Sequence, residues 1–207
     1  MSVRLILIGG GEHARVVAEA VRSAGGVELL GFVDPEPCVE TVRRLGLRRL
    51  GDDVVLDQFP GALGLLAIAA LANRELRPKL VQRLTPRLAG WATVVHCSAW
   101  VSPTATIGEG TVVMAGAVVQ SGARIGGHCV VNSRAVVEHD AQIGDFAHVA
   151  SGAVVGGGAR LGAGSHLGLG ASVRDHVSVG ADVVVGMGAV VVADIDAGRQ
   201  VTGVPAR

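Results

Sequence analysis

Two adjacent side chains in the 207-residue sequence, His139 and Asp140, have the types needed for general acid–base chemistry. An imidazole accepts a proton near neutral pH, and a carboxylate beside it can orient the ring and raise its basicity. Such a base can deprotonate an amine or hydroxyl that attacks an activated acyl group, and no Ser or Cys nucleophile is then required. The alternative is that His139 is an ordinary solvated histidine.

The chain around this pair follows a six-residue period, which is typical of neither a helix nor an amphipathic strand. Four residues after most of the periodic positions sits a small side chain, such as Ala117 or Ala153. Pairs such as Ile125-Gly126 and Ile143-Gly144 recur every eighteen residues. The periodic positions are all aliphatic: Val95, Val101, Ile107, Val113, Val119, Ile125, Val131, Val137, Ile143, Val149, Val155, Leu161, Leu167, Val173, Val179, Val185 and Val191.

These periods predict a solenoid in which three hexads form one three-sided coil. The aliphatic residue points inward, the small residue fits the narrow interior, and coils stack about 4.8 Å apart. With Val137 pointing inward, His139 lies at or near a corner and faces outward. His148 and His166 occupy the same position in neighbouring coils and should stack. Chance enrichment of Val in ordinary strands is the alternative, and the unbroken period argues against it.

Residues 1 to about 90 alternate strand-like and helix-like segments, which implies a small parallel sheet. Val16, Val17, Ala20 and Val21 are predicted to share one face of the first helix. The predicted strands are Val3 to Ile8, Val27 to Val33 and Leu65 to Ala70, and the predicted helices are Glu12 to Ala24 and a segment that runs from a cap at Asn73 towards Leu84.

The glycines between the first strand and the first helix fit a dinucleotide-binding fingerprint. Gly9-x-Gly11-x-x-Ala14 is followed twenty residues later by Asp34, and an acid at that spacing can hold a ribose. On its own this pattern suggests NAD. Against NAD, about 90 residues provide no second mononucleotide-binding half. A tight turn that binds nothing is the other alternative.

The hexads, the segment around His139 and the closing residues TGVPAR resemble the hexapeptide-repeat acyltransferases. With the N-terminal GGGEHARVV and GFVD, the resemblance narrows to the branch that acetylates amino groups of nucleotide-linked sugars or hydroxyls of sialic acids. It implies a Rossmann-like α/β domain over residues 1–90. It also implies a left-handed parallel β-helix over residues 91–207 that assembles as a homotrimer.

The same resemblance implies a role for particular residues. His139 would be the general base, Asp140 its supporting carboxylate, and Asn132 would line the sugar pocket. Acetyl-CoA would lie in the groove between adjacent subunits, where the Gly157 N–H is a candidate donor to the oxyanion. The positions implied to contact acetyl-CoA are His148, Gly157, Leu169 and Met187, and those implied to contact the nucleotide are Gly11, Glu12, His13 and Asp34.

Three residues depart from the family's pattern. Glu12 stands where the family often has a small residue, and its carboxylate would repel a diphosphate unless it turned away. Ala72 and Met187 each replace a glycine that is common at their positions. These departures concern nucleotide and coenzyme binding, and they leave acyl transfer itself unaffected.

A metal site is the alternative for the histidines. His148 and His166 lack a third ligand nearby in the sequence, and adding His128 gives no convincing set for a zinc enzyme of the carbonic anhydrase type. We therefore predict no metal. His96, His128 and His176 have no identifiable partner, and each is predicted to be a solvated turn residue.

Composition excludes several classes of protein. The formal net charge is zero, and no basic tract points to nucleic acid. The longest apolar run, Leu63 to Ala72, contains Gly64 and cannot span a bilayer, so we predict no membrane insertion. Cys38, Cys97 and Cys129 are widely spaced and odd in number, which favours reduced thiols in a cytoplasmic protein.

The sequence therefore predicts an acetyl-CoA-dependent N-acetyltransferase. Its acceptor would be the amine of a nucleotide-linked 4-amino-4,6-dideoxy sugar, delivered to His139 by the N-terminal domain. One alternative is O-acetylation of a sialic acid or related sugar, because the same base serves a hydroxyl. Another is a non-catalytic trimeric scaffold, since a solenoid is stable without an active site.

Overall fold

The chain divides into two compact units in the computed structural model, Met1–Val95 and His96–Arg207. The structure describes residues 3–36, 39–69, 73 and 75–207. Cys38, Ala70 and Ala72 lie outside the described residues.

A four-stranded parallel sheet with flanking helices forms the first unit. Its elements are β1 (Val3–Ile8), α1 (Glu12–Ala24), β2 (Val27–Val33), α2 (Val39–Leu45), β3 (Arg49–Gly51), β4 (Leu63–Leu66) and α3 (Leu76–Leu84), with 3-10 turns at Asp53–Gln58 and Thr85–Arg87 and a two-residue strand at Val94–Val95. The sheet order is β3-β2-β1-β4, with β1 parallel to both neighbours. This arrangement confirms the predicted α/β class.

The bounds of β1, α1 and β2 agree with the prediction. Val16 is the exception on α1, because it is 43% exposed. The buried stripe of this helix contains the predicted Val17, Ala20 and Val21 together with Ala14 and Ala18, at the three- and four-residue spacing of a helical face.

The last helix of the unit begins later than predicted. Glu75, and not Asn73, is the residue before its first turn, and the Asn73 carbonyl accepts a hydrogen bond from the Leu76 N–H at 3.1 Å. Pro78 explains the difference, because proline has no N–H to donate. A start at Leu76 makes Pro78 the third helical residue, where no intrahelical donor is needed.

The elements β3 and α2 were not predicted. β3 has three residues and α2 has seven, so neither is long enough to display a hydrophobic period. β4 begins and ends earlier than predicted, at Leu63 and Leu66.

The second unit is a left-handed parallel β-helix built from two-residue strands, which confirms the predicted solenoid. We name its three sheets after one residue each. The Ile143 face contains Thr106–Ile107, Arg124–Ile125, Gln142–Ile143, Arg160–Leu161 and Ser178–Val179. The Val137 face contains Trp100–Val101, Val118–Val119, Val136–Val137, Val154–Val155, Ser172–Val173 and Val190–Val191. The His148 face contains Val112–Val113, Val130–Val131, His148–Val149, His166–Leu167, Val184–Val185 and Gln200–Val201.

Aliphatic side chains fill the interior of the solenoid. Every predicted inward position from Val113 to Val191 is at most 4% exposed, and the small residues from Thr111 to Ala159 are fully buried. Strands pair in parallel at an interval of eighteen residues, as Val137 does with Val119 and Val155. Equivalent residues of successive coils therefore form straight columns.

The chain turns at two edges that border the Val137 face. The His139 edge contains Ser121, His139, Gly157 and Asp175 in successive coils, and the Leu169 edge contains Ser133, Ser151, Leu169 and Met187. The coils are also hydrogen-bonded at these edges: the Gly158 N–H donates to the His139 carbonyl at 2.8 Å, and the Gly188 N–H donates to the Leu169 carbonyl at 2.8 Å. Each edge is therefore a fixed scaffold and not a free loop.

Candidate active site

His139 and Asp140 form an exposed, hydrogen-bonded pair on the His139 edge. Nδ1 of His139 lies 3.0 Å from Oδ2 of Asp140, and the two side chains are 60% and 73% exposed. Asp140 has a φ of 60°, a left-handed conformation that Asp adopts more readily than most residues. Its carboxylate lies over Gly122, where a Cβ would be only 2.5 Å from Oδ1.

The hydrogen bond that the Asp140 carboxylate accepts from the His139 ring raises the pKa of His139 above its ordinary value. The negative charges of Asp140 and Glu138 act in the same direction, and partial loss of ring solvation opposes them. When the carboxylate accepts a hydrogen bond from Nδ1, the lone pair is on Nε2, which is then the basic atom. The pair can therefore take a proton at Nε2.

Gly157 lies beneath this basic atom. A Cβ at position 157 would be 2.6 Å from Nε2 of His139. Its neighbours in the turn use their amides to join the coils: the Gly156 N–H donates to the Val173 carbonyl at 2.9 Å, and the Gly158 N–H donates to the His139 carbonyl. The Gly157 N–H has no hydrogen-bond acceptor among the described residues. It can therefore donate to an oxyanion that forms beside His139.

His148 lies on a different face, close to the Leu169 edge. It pairs in register with His166, and the two rings meet edge-to-face with centroids 5.0 Å apart, so the predicted stacking is confirmed. His148 is only 6% exposed, and its Nε2 lies 3.4 Å from Nδ2 of Asn132. Within the described ranges, no group of three or more His, Cys, Asp or Glu side chains could hold a metal ion.

Leu169 and Met187 are exposed on the Leu169 edge, at 54% and 77%. Asn132 begins the turn of the same edge two coils earlier. One copy of the chain thus brings His139, Asp140 and Gly157 together on one edge. The same copy places His148, Leu169 and Met187 at the other side of the Val137 face.

His128 does not lie in solvent, which corrects the prediction for this residue. It is 6% exposed, and its ring is stacked on Phe146 with centroids 5.0 Å apart and planes 12° from parallel. A neighbouring ring in the same column of the next coil could have been recognised in the sequence, because Phe146 follows His128 by eighteen residues.

The first unit contains a cleft of about 430 Å³, lined by Gly11, Glu12, His13, Asp34 and Ala67 to Ala69. Both carboxylate oxygens of Asp34 accept backbone hydrogen bonds, from Gly10 at 2.7 Å and from Glu36 at 2.9 Å. Asp34 therefore holds the glycine loop in place. Burial lowers the pKa of His13 to about 4, with a smaller contribution from Arg77, so this imidazole is neutral at pH 7.

The three glycines of this loop have different environments. A Cβ at Gly9 would lie 2.3 Å from Cγ1 of Ile68, and one at Gly10 would lie 2.4 Å from Cε2 of Phe32. A Cβ at Gly11 would meet nothing within 4 Å. The first two glycines are required for packing, and only Gly11 leaves its backbone open towards a ligand.

One group of residues beside the His139 edge received no role from the sequence. The outward residues Arg124, Gln142 and Arg160 line a second cleft, on the Ile143 face. Their eighteen-residue spacing places them in one column and could have been read from the sequence. The inward aliphatic residues beside them define the repeat, however, and the outward residues were not considered separately. No helix in the described part of the chain is long and apolar enough to cross a membrane.

Comparison with known proteins found a family model that matches most of the first unit and solved structures that match both units. The family model of the PglD N-terminal domain matches residues 4–84. The acetyltransferase domain of PglB from Neisseria gonorrhoeae, solved in complex with acetyl coenzyme A, is 33% identical over 100% of this chain and 99% of its own, with a TM-score of 0.90. A comparison with curated proteins found no match.

A second solved structure with similar coverage is PerB from Caulobacter crescentus, in complex with CoA and GDP-perosamine. It is 35% identical over 98% of this chain and 95% of its own, with a TM-score of 0.88. WeeI from Acinetobacter baumannii is 22% identical over 100% of this chain and 99% of its own, with a TM-score of 0.74. At that identity WeeI supports the fold alone.

Proposed function

Because this chain belongs to the hexapeptide-repeat sugar N-acetyltransferases, we propose that it transfers the acetyl group of acetyl-CoA to the amine of a nucleotide-linked 4-amino-4,6-dideoxy sugar. The observation that carries this proposal is the arrangement of His139, Asp140 and Gly157, in which a basic Nε2 lies next to an unpartnered amide. PerB, which resembles the chain over nearly its whole length, was solved with CoA and GDP-perosamine.

His139 acts as the general base in the proposed reaction. The amine of the sugar attacks the thioester carbonyl carbon, and Nε2 takes the proton that the nitrogen loses as the C–N bond forms. The Gly157 N–H donates to the oxyanion of the tetrahedral intermediate. When the C–S bond breaks, the imidazolium returns its proton to the departing thiolate. Asp140 holds the ring and stabilises its positive charge.

We assign binding of the nucleotide to the cleft of the first unit. Gly11 presents an open backbone at the start of α1, and the helix N-terminus favours a ligand with negative charge. Neutral His13 can donate or accept a hydrogen bond there. Glu12 is exposed, so its carboxylate is free to turn towards solvent.

A homotrimer completes the proposed active site. The outward residues of the Val137 face form a column that is apolar except for one serine, and in it Trp100 is 49% and Val154 is 36% exposed. The column contains Trp100, Val118, Val136, Val154, Ser172 and Val190. Contact with two other copies of the chain would remove these apolar side chains from water, which would stabilise a trimer. If this face lies towards a threefold axis, the His139 edge of one copy approaches the Leu169 edge of the next.

Assembly in this way puts the implied coenzyme contacts next to the base. His148, Leu169 and Met187 of a neighbouring copy would face His139 and Gly157 across the groove. We place the reaction in the cytoplasm, where the thiols of Cys97 and Cys129 would stay reduced.

The test is acetyl transfer from acetyl-CoA to a panel of UDP- and GDP-linked 4-amino-4,6-dideoxy sugars, detected by mass spectrometry. We expect one member to be acetylated on nitrogen and the His139→Ala variant to be inactive while it retains its circular dichroism spectrum. Wild-type rates in that variant would exclude His139 as the base. Acetylation of free sialic acid, but of no nucleotide-linked amine, would contradict the assigned acceptor, and failure to bind acetyl-CoA would favour a scaffold.

A further inference from the structure

A cleft of about 740 Å³ on the Ile143 face has no role in the mechanism above. Its wall consists of outward residues from consecutive strands, among them Arg124, Gln142 and Arg160. The register pairs Arg124 with Gln142 and Gln142 with Arg160. With coils about 4.8 Å apart, the backbones of the two arginines are about 10 Å apart, with the Gln142 coil between them.

Glycines make the floor of this cleft free of side chains. A Cβ at Gly144 would lie 2.5 Å from the Ala163 nitrogen, and one at Gly162 would lie 2.4 Å from the Ala181 nitrogen. Stacking of the coils therefore requires glycine at these positions. The repeated pairing of an aliphatic residue with glycine every eighteen residues thus produces both the close stacking and the open surface beside the arginines.

The charges in the cleft are unevenly distributed. Arg124 and Arg160 are exposed, and neither forms an ion pair with any residue that the structure describes. Asp194 and Asp196 lie at the other end of the cleft, where Oδ1 of Asp194 accepts a hydrogen bond from the Ser178 N–H at 2.8 Å. Because Ser178 pairs with Arg160, the Asp194 carboxylate lies about one coil from Arg160. An anion is therefore favoured on the Arg124 side of Arg160, away from Asp194 and Asp196.

We infer that Arg124 and Arg160 bind the diphosphate of the nucleotide-linked acceptor, an inference that rests on the proposed function. Gln142 follows His139 by three residues, so their Cα atoms are at most about 11 Å apart. This separation suits a substrate whose amine and diphosphate lie on opposite sides of a single hexose ring. Two guanidinium groups from the coils on either side of Gln142 can each donate paired hydrogen bonds to phosphate oxygens.

The nucleotide cleft of the first unit does not itself neutralise a diphosphate. Glu12 and Asp34 line it together with His13, and the part of its lining that the structure describes includes no Lys or Arg. The α1 N-terminus supplies only about half of an elementary positive charge, which leaves most of the charge of a diphosphate to be offset by other groups. Arg124 and Arg160 are exposed and follow Ser121 and Gly157 of the His139 edge by three residues, which makes them candidates for this role.

The diphosphate of the coenzyme is a poorer match for this position. The pantetheine arm separates the thioester from the coenzyme's diphosphate by several coil spacings. Arg124 and Arg160, in contrast, are each within one coil of Gln142 along the column. A group held there lies too close to His139 to be reached by the far end of an extended coenzyme whose thioester is at Gly157.

The test uses the full-length Arg124→Gln/Arg160→Gln double variant. Its matched control is Arg22→Gln/Arg43→Gln, which removes the same charge from exposed positions of α1 and α2. In the double variant we expect the KM for the nucleotide-linked sugar to rise about 10- to 100-fold, as for loss of charge-assisted hydrogen bonds. The KM for acetyl-CoA and the kcat at saturation should change little, and the control should match wild type.

Calorimetric titration with inorganic pyrophosphate separates this inference from the proposed function, because it requires no reaction. Wild type should bind pyrophosphate, Arg160→Lys should bind it more weakly, and the double variant should lose binding. Equal pyrophosphate binding by wild type and double variant, or none by wild type, would overturn the inference. So would a rise in the KM for acetyl-CoA in place of the KM for the sugar. If no sugar is acetylated while pyrophosphate binding still depends on both arginines, the anion site stands and the proposed function fails.

Discussion

The imidazole of His139 lies over Gly157, the residue at the same position of the next coil, so closely that a Cβ there would be 2.6 Å from Nε2. The ring therefore occupies space that a side chain at position 157 would take. The φ of Gly157 does not lie in the left-handed region. Its backbone conformation is open to other residues, and glycine is required here for the ring alone.

Replacement of Gly157 by alanine should displace the ring of His139, the proposed base, without unfolding the solenoid. We expect kcat/KM to fall about 100-fold, within the range that a positioned general base contributes. Gly127→Ala is the matched control, because the atom closest to its Cβ would be the Glu109 carbonyl oxygen, at 3.3 Å, followed by Oδ1 of Asp145 at 3.9 Å. Steady-state kinetics and circular dichroism of both variants provide the measurement. Wild-type activity in Gly157→Ala would show that the ring does not work from this position.

The pH dependence of the reaction should report on the His139–Asp140 pair. A general base must be unprotonated, so activity rises as the pH passes through its pKa. Asp140 raises the pKa of His139, and Asp140→Asn should therefore move the acidic limb of the kcat/KM profile to lower pH. The plateau should fall about 10-fold or more, because the ring loses its orientation and some of its basicity.

Glu138→Gln provides the comparison for this prediction. The charge of Glu138 is the smallest of the contributions to the pKa of His139, so its removal should move the limb less than Asp140→Asn does. NMR titration of the His139 ring in each variant measures the pKa directly. A shift to higher pH in Asp140→Asn would contradict the assigned role of the carboxylate.

His13 should make the first unit sensitive to acid. Its pKa is lowered from 6.5 to about 4 in the folded chain, so the unfolded chain binds more protons between these values. Burial of neutral His13 therefore leaves the free energy of unfolding unchanged above pH 6.5. As the pH falls from 6.5 towards 4, it lowers that free energy by up to about 3 kcal/mol. His13→Gln should remove this dependence. Urea unfolding followed by fluorescence of the buried Trp91, in a Trp100→Phe background, measures it.

His176→Gln is the control for this experiment, because His176 is exposed in the second unit. At each pH, the free energy of unfolding of the first unit should be the same in His176→Gln as in wild type. If His13→Gln and wild type lose stability equally between pH 6.5 and 4.5, the neutral state of His13 is not coupled to folding.

A charge on the Val137 face should prevent assembly of the proposed homotrimer. Val154→Lys places an ammonium in the centre of the apolar column, where it would be buried without a partner. We expect analytical ultracentrifugation to find trimers for wild type and smaller species for this variant, with loss of activity. Thr106→Lys, on the exposed surface of the Ile143 face, should remain trimeric. A monomeric wild type with full activity would contradict the proposal.

Mixed trimers test whether the two edges act across copies. His139→Ala and His148→Ala chains should each have low activity alone. After co-expression, some grooves combine an intact His139 edge from one chain with an intact Leu169 edge from the other, so activity should return in part. No recovery in verified mixed trimers would mean that both edges must belong to one chain.

The period of six was sufficient to predict the solenoid, because every inward position from Val113 to Val191 is constrained by the same narrow interior. It also placed His139 on an edge. It did not predict that the ring lies over Gly157, since that depends on a side-chain rotamer and on the space left by the next coil. The sequence likewise gave no reason to expect Asp34 to bind the Gly10 amide through its carboxylate.

Local signals failed where tertiary contacts or short lengths dominate. His128 looked solvated because its partner Phe146 is eighteen residues away. Asn73 looked like a helix cap, but the missing N–H of Pro78 favours a start at Leu76. β3 is three residues long and is defined by its pairing with β2, which no local pattern records.

The hydrogen bonds between successive coils at both edges fix the positions of residues along the solenoid in steps of one whole coil. Deletion of a single residue between His139 and Gly157 would not shorten a loop; it would rotate every later strand about the axis, turning inward valines towards water and carrying Gly157 out from under the imidazole. Substitutions can therefore change the chemistry of this enzyme, and the gain or loss of whole coils can change its length. Between His139 and Gly157, the proposed base and oxyanion donor, the repeat tolerates no insertion or deletion of part of a coil.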